Sequence, residues 1–352
     1  MDASVTDLYN VTPRQLAECV VDDFYAGLVP YVEGEPGIGK SSIFAQVAKK
    51  LRLKLIDVRL STCAPEDLSG LPMIDPVTGM AVFKPFAELF PTEDTPIPEG
   101  YDGWLIFLDE LNAAPRSVIA AGYKLILDKM VGQKKLHPAV VMAAAGNKST
   151  DNAITNPMGT AMQSRLVHYT LKIDFKEWLE DVALPNGYDY RLIGYLNRFE
   201  SKLHDFKPDH SNRTFCCPRT WEFFNETLKL EPNKKAIPHN RTHRYIGKIT
   251  PGVAVDFISF TQVFENLVTE AQIMADPTGL EVPYDPSVAW GTCAFMAENA
   301  KLENFDSFCT YISRFDLDKR ILFFRSVLLY KVDLREHPSF ARALIEMDEY
   351  LQ

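Results

Sequence analysis

Three short runs in this 352-residue chain have the residue types and spacing for phosphate chemistry. The first is Gly34, Glu35, Pro36, Gly37, Ile38, Gly39, Lys40 and Ser41, followed by Ser42, and it satisfies the pattern GxxxxGK[ST] in full. Its glycines let the backbone curl so that N–H groups point inward at phosphate oxygens. A helix starting there would add the positive end of its dipole. Lys40 would reach the β- and γ-phosphates of ATP, and the Ser41 hydroxyl would ligate Mg²⁺. The pattern carries this meaning only between a strand and a helix. Residues 28–33 read as that strand, and residues 41–51 as that helix, with Ile43, Phe44, Val47 and Ala48 on one face.

The second run, residues 104–110, is an apolar strand ending in Asp109 and Glu110. Asp109 at the strand tip would hold Mg²⁺ through its water shell, and Glu110 would polarise a water for in-line attack on the γ-phosphate. Two acids at a strand end can also be no more than a solvated terminus. The phosphate loop, expected on a neighbouring strand, weighs against that. The third run, residues 140–147, is another apolar strand with a polar tip, where Asn147 could orient the attacking water beside Glu110. Its plain alternative is a turn-forming Asn-Lys-Ser.

Positioning these tips requires a layered α/β domain. Residues 53–60 and 167–173 supply further strand patterns. Several of the strands are continuously apolar, as parallel strands covered on both faces are. Residues 73–83 read as a small hairpin with Asp75, Pro76 and Gly79 in its turn, and residues 89–103 as an exposed loop. From Asp174 the apolar spacing turns helical, over 178–184, 190–203, 219–230, 253–274, 287–301 and 321–332. The expected organisation is an α/β nucleotide-binding domain at 1–173, a helical lid at 174–275 and a helical C-terminal extension at 276–352.

Composition bounds the function. A content of 46% hydrophobic and 24% charged residues is that of a globular protein. The length exceeds what one core serves, which fits about two domains. A net charge of −10 argues against a broad DNA-coating face, though not against a local basic channel. No run approaches the roughly 20 apolar residues of a membrane helix, so no membrane insertion is expected. Residues 1–15 lack the layout of a signal peptide. With six cysteines and no CxxC pair, these features point to a cytoplasmic protein.

The order GEPGIGKS, LIFLDELNAAP, AAAGN and NPMGTAMQSRL resembles the AAA+ ATPases, most closely the MoxR branch, over about residues 11–230. The resemblance implies a P-loop AAA+ core with a parallel sheet and an all-helical lid. It makes residues 34–41 the Walker A loop, Asp109 and Glu110 the Walker B pair, and Asn147 sensor 1. Arg165 becomes an arginine finger inserted into the neighbouring subunit's site, and Arg219 becomes sensor 2. The hairpin near Asp75 becomes an insert facing a ring's pore, and residues 130–136 a hairpin before sensor 1. A guanidinium stays charged and forks onto phosphate oxygens, which suits both arginines to these roles. Arg116 competes for an intersubunit role. The Cys216-Cys217-Pro218 approach to Arg219 departs from the family pattern, and the match loosens after Leu230.

The same resemblance implies ATP and Mg²⁺ as cofactors, a homo-oligomeric ring, commonly a hexamer, and a protein substrate or adaptor, often with a von Willebrand factor A domain. A motor or loader acting on nucleic acid is the rival. Its support is the basic stretch 229–248 (Lys229, Lys234, Lys235, Arg241, Arg244 and Lys248), which reads more readily as a solvated loop. A nucleotide-dependent switch with little turnover is a third reading, opposed by the intact Glu110, Asn147 and Arg165 set. His204, His210, Cys216 and Cys217 fit no standard zinc spacing. Phe257, Phe260, Phe264 and Leu267 read as a core face.

Overall fold

A computed structural model describes residues 9–151, 156–233, 235–265 and 267–347. Lys234 of the basic stretch lies outside the described residues. The chain divides into two compact units, Met1–Ile173 with Lys207–Asp209, and Asp174–Phe206 with His210–Gln352.

The strands of the first unit are β1 Asn10–Val11, β2 Pro30–Glu33, β3 Leu53–Arg59, β4 Leu71–Ile74, β5 Ala81–Lys84, β6 Gly103–Asp109, β7 Met130–Val131, β8 Lys134–Lys135, β9 Val140–Gly146 and β10 Val167–Leu171. Six of them form one sheet in the order β1-β10-β2-β9-β6-β3, with every neighbouring pair parallel. Its helices are α1 Pro13–Tyr25, α2 Lys40–Lys50, α3 Pro65–Ser69, α4 Arg116–Asp128 and α5 Thr160–Gln163. This is an α/β P-loop core with a parallel sheet, and a helical region follows it.

Alternation along the strands divides the core between the two sheet faces. Trp104, Ile106 and Leu108 of β6 join Met142 and Ala144 of β9 in a cluster that includes Val118 and Leu125 of α4. Leu105 and Phe107 join Ala143 and Ala145 on the other face, against Leu16 and Val20 of α1 and Phe44 and Val47 of α2. All seven residues of β6 are buried, which is why that strand reads as an unbroken apolar run.

The sheet order corrects one expectation. The strand bearing Asp109 does not neighbour β2. The strand β9 lies between them, with Ala144 opposite Tyr31 of β2 on one side and Leu108 of β6 on the other. Asn147, at the tip of β9, therefore stands between the phosphate loop and the acids. The hairpin at 73–83 forms as β4 and β5, closed by Asp75, whose carboxylate accepts the Val77 and Thr78 N–H groups at 2.8 and 3.0 Å. These bonds hold the Asp75 carboxyl below its usual range. Residues 89–103 are not exposed throughout, because Phe90 is fully buried in the β6–α4 core and Thr92 bridges Leu136.

The second unit is helical: α6 Phe175–Trp178, α7 Tyr190–Arg198, α8 Pro218–Lys229, α9 Pro251–Thr261, α10 Glu270–Ala275, α11 Pro286–Asn299, α12 Phe305–Ile312, α13 Leu317–Tyr330 and α14 Pro338–Glu346. The stretch 253–274 is not one helix. After α9 comes a short turn, Gln262–Glu265, and α10 then begins anew. Thr269 and Gln272 exchange side-chain-to-backbone bonds there as a capping box, which satisfies N–H groups that a new helix start exposes. Phe257, Phe260 and Phe264 are buried, as the core reading expects, and Leu267 is half-buried. Among the described residues no helix is long and apolar enough to cross a membrane.

Candidate nucleotide-binding site

The strands β2, β3, β6 and β9 all run in one direction, so their C-terminal ends gather at one edge of the sheet. The polar residues that follow them build the site. After β2 the chain turns through Gly37 and Gly39, with φ of 76° and 96°, a left-handed conformation that glycine adopts without steric cost. Gly39 then caps α2 with no side-chain bond, and no acidic residue stands in the first turn. A helix start without competing side chains is a site for an anion.

Lys40 opens α2 and its ammonium donates to Gly34 O at 2.6 Å, Glu35 O at 3.1 Å and Asn147 Oδ1 at 3.1 Å. The loop, the lysine and the β9 tip are thus joined across 107 residues of sequence. Beside them the Ser41 hydroxyl donates to Asp109 Oδ2 at 3.2 Å. These are two hard oxygen donors converging at a sheet edge. They fit Mg²⁺, which takes few protein oxygens and keeps several waters. Ser42 is exposed.

Glu110 has φ of 57°, a left-handed conformation that costs a non-glycine residue about 1–3 kcal/mol. The turn sends its side chain toward the end of β3. There the Ser61 hydroxyl donates to Glu110 Oε2, and Arg59 Nε stands 3.8 Å from Oε1. Both carboxylate oxygens are therefore engaged by residues that the sequence reading did not single out. Desolvation first, and then the Asp109 charge, hold the Asp57 carboxyl above its usual range. The Glu110 charge adds to this effect and Arg59 opposes it, so three acids and an arginine share this region.

Asn147 is supported from behind. Asn112 donates Nδ2 to Asn147 O at 2.6 Å and accepts Asn147 N–H on Oδ1 at 3.2 Å. The approach is so close that a Cβ on Gly146 would stand 2.5 Å from Asn112 Oδ1 and 2.2 Å from Tyr31 Oη, leaving room only for glycine. Lys148 pairs with Glu35 of the phosphate loop at 3.4 Å. Asp151, buried nearby, has its carboxyl raised by burial and then by the Glu35 charge.

The remaining sequence candidates lie on other elements. Arg165 follows α5, is exposed, and donates Nη1 to Ala161 O at 2.8 Å. Arg116 is exposed at the start of α4. Arg219 is exposed in the first turn of α8, in the second unit. Within the basic stretch, Arg241 and Arg244 both bond the buried Glu231, the latter at 2.9 Å, and Tyr245 Oη donates to it at 2.8 Å. Lys229 pairs with Glu226 at 2.9 Å. Among the described residues no group of three or more His, Cys, Asp or Glu is arranged to hold a metal ion, so the His204, His210, Cys216 and Cys217 set forms none. Burial pushes the Cys216 thiol up to about 12.

No family model and no curated protein matches the chain. Among solved structures it is similar to a candidate ATPase from Cytophaga hutchinsonii, at 12% identity over 98% of this chain and 91% of that one, with a TM-score of 0.37. It is also similar to a RuvB point mutant from Thermotoga maritima, at 13% identity over 76% and 75%, with a TM-score of 0.37. A third, a full-length MCM homologue from Methanopyrus kandleri, matches at 18% identity over 40% and 29%, with a TM-score of 0.28. Likenesses at scores this low carry no functional assignment, which rests instead on the residues at the strand ends.

Proposed function

We propose that this chain is a MoxR-like AAA+ ATPase that binds ATP with Mg²⁺, hydrolyses it at the interface between copies in a ring, and uses the cycle to remodel a protein partner. The observation that carries the ATPase reading is the convergence of Lys40 on Asn147 beside Ser41 on Asp109, four residues from three separate segments at one sheet edge. The loop N–H groups and the start of α2 would bind the phosphates, and Lys40 would exchange its carbonyl contacts for phosphate oxygens. Ser41 and Asp109 would hold Mg²⁺, which when bound neutralises phosphate charge. Asn147 would orient the attacking water and Glu110 would accept its proton. Glu110 must give up its bond with Ser61 or its pairing with Arg59 to do so, because these engage its two oxygens.

Arg165 is exposed, as a finger offered to a neighbouring copy requires, and Arg219 in the helical unit is the sensor that would follow nucleotide state. A hexamer, and an adaptor with a von Willebrand factor A domain, follow from the MoxR resemblance. The nucleic-acid reading loses much of its support, since Arg241 and Arg244 are committed to Glu231. The test is Glu110→Gln. It is expected to keep ATP affinity and lower turnover by about 10²–10⁴-fold, the usual contribution of a general base. Unchanged turnover would remove Glu110 from the mechanism.

A further inference from the structure

The contact between Asn112 and Asn147 has a specificity that packing alone does not need. Asn112 is 6% exposed and lies in a short turn, Leu111–Ala113, directly after Glu110. Its amide faces the Asn147 peptide with NH₂ toward the carbonyl and oxygen toward the N–H. Only this orientation of an asparagine side chain satisfies both groups, since aspartate has no donor and leucine has neither. Asn112 is itself fixed on the other side. Its carbonyl accepts Asn156 N–H at 2.6 Å, and Asn156 Nδ2 donates to Ala114 O at 2.8 Å. Gly146 provides the close approach, as any side chain there would collide with the Asn112 amide.

We propose that Asn112 is a positioning residue for hydrolysis. It reads the backbone of Asn147 and holds the Asn147 side chain at the spot where it meets Lys40. This deepens the ATPase reading and rests on it. The two residues are 35 positions apart and sit at the tips of adjacent strands, so the bond also locks the β6 tip to the β9 tip. The acids that follow β6 and the asparagine that follows β9 thereby keep one register relative to each other. Without the Asn112 amide, the peptide of Asn147 would turn to water for its hydrogen bonds and its side chain would lose a fixed aim. A phosphate-binding loop does not need that aim to hold nucleotide, whereas placing a water for in-line attack does.

The expected signature is therefore a split between turnover and affinity. Asn112→Ala should lower kcat by about 10–100-fold, the scale of a misplacement near 1 Å, while the Kd for ATP measured with a fluorescent analogue stays within about threefold of wild type. A double-mutant cycle separates positioning from general destabilisation. If Asn112 acts through Asn147, the double variant Asn112→Ala, Asn147→Ala should turn over within about twofold of Asn147→Ala alone. Multiplying losses in the double variant, or a kcat unchanged in Asn112→Ala, would overturn the proposal. Should Asn112→Ala fail to fold, Asn112→Ser, which keeps a small hydroxyl, enters the same cycle under the same criteria. Wild type and Lys40→Ala are assayed in parallel. A wild type without ATPase activity, or a Lys40→Ala variant with normal ATP binding, would instead remove the ATPase reading on which the cycle depends.

Discussion

Each unit gathers polar residues from distant parts of its sequence, but the two gatherings differ in kind. In the helical unit Arg191 is fully buried and its guanidinium is enclosed. It donates Nε and Nη2 to Asp189 at 2.8 and 2.7 Å, and Nη1 to the carbonyls of Asn233 and Lys235 at 3.0 and 3.2 Å. Glu231 likewise collects Arg241, Arg244 and Tyr245. In such closed networks donor and acceptor answer each other, which is the requirement for burying charge at all. At the sheet edge Asp109 is buried, but Lys40, Ser41, Glu110 and Asn147 are only half-buried, and a helix start stands uncapped by any side chain. A polar cluster completed by its own chain is scaffold. One that leaves a helix start uncapped beside a half-buried lysine has room for a ligand that the chain itself does not supply.

That contrast can be broken at two arginines. Arg165 is exposed and its guanidinium, among the described residues, bonds one backbone carbonyl, so Arg165→Ala should leave the fold and ATP binding intact. Hydrolysis should fall by about 10³–10⁵-fold, the range for an arginine finger. Mixing it with Lys40→Ala under exchanging conditions should restore part of the activity, because one variant supplies the finger and the other the site. Absence of rescue would count against a finger acting between copies. Arg191→Met should behave in the opposite way. It strands the buried Asp189 carboxylate and should cost about 3–5 kcal/mol in denaturant unfolding, the scale for breaking a buried pair. The ATP affinity of the folded fraction should be unchanged. A stable Arg191→Met variant, or one that lost nucleotide binding while folded, would blur the distinction between scaffold and site.

The legibility of the sequence followed the same division. The strands β2, β3, β6, β9 and β10 were readable within a residue or two; β6 and β9, buried on both faces, show as continuous apolar runs, while β3 and β10, less buried, mix polar residues into the pattern. The phosphate loop was readable because its chemistry is local, eight consecutive residues with glycine where φ is positive. The strand order was not readable. Nothing in a linear sequence states that β9 inserts between β2 and β6. Ser61, Arg59 and Asn112 escaped for the same reason, since their partners lie 35 to 51 positions away and no periodicity encodes such a contact. The break in the helix at 253–274 had a visible signal, Thr269 three residues before Gln272, which helical spacing on either side obscured. The two-residue strand β1 is too short to carry a pattern.

The most direct measurement is a titration of a fluorescent ATP analogue with Mg²⁺ against wild type and Lys40→Ala, with thermal unfolding of both proteins recorded alongside. Lys40 joins the loop to Asn147 and is partly exposed, so its removal should leave the unfolding midpoint nearly unchanged. Saturable binding by wild type, and binding weakened by about 10²-fold or more in Lys40→Ala, is the expected result, corresponding to about 3 kcal/mol for charge-assisted bonds to phosphate. Equal binding by the two proteins, or no binding by wild type, would contradict the assignment of this sheet edge as a nucleotide site.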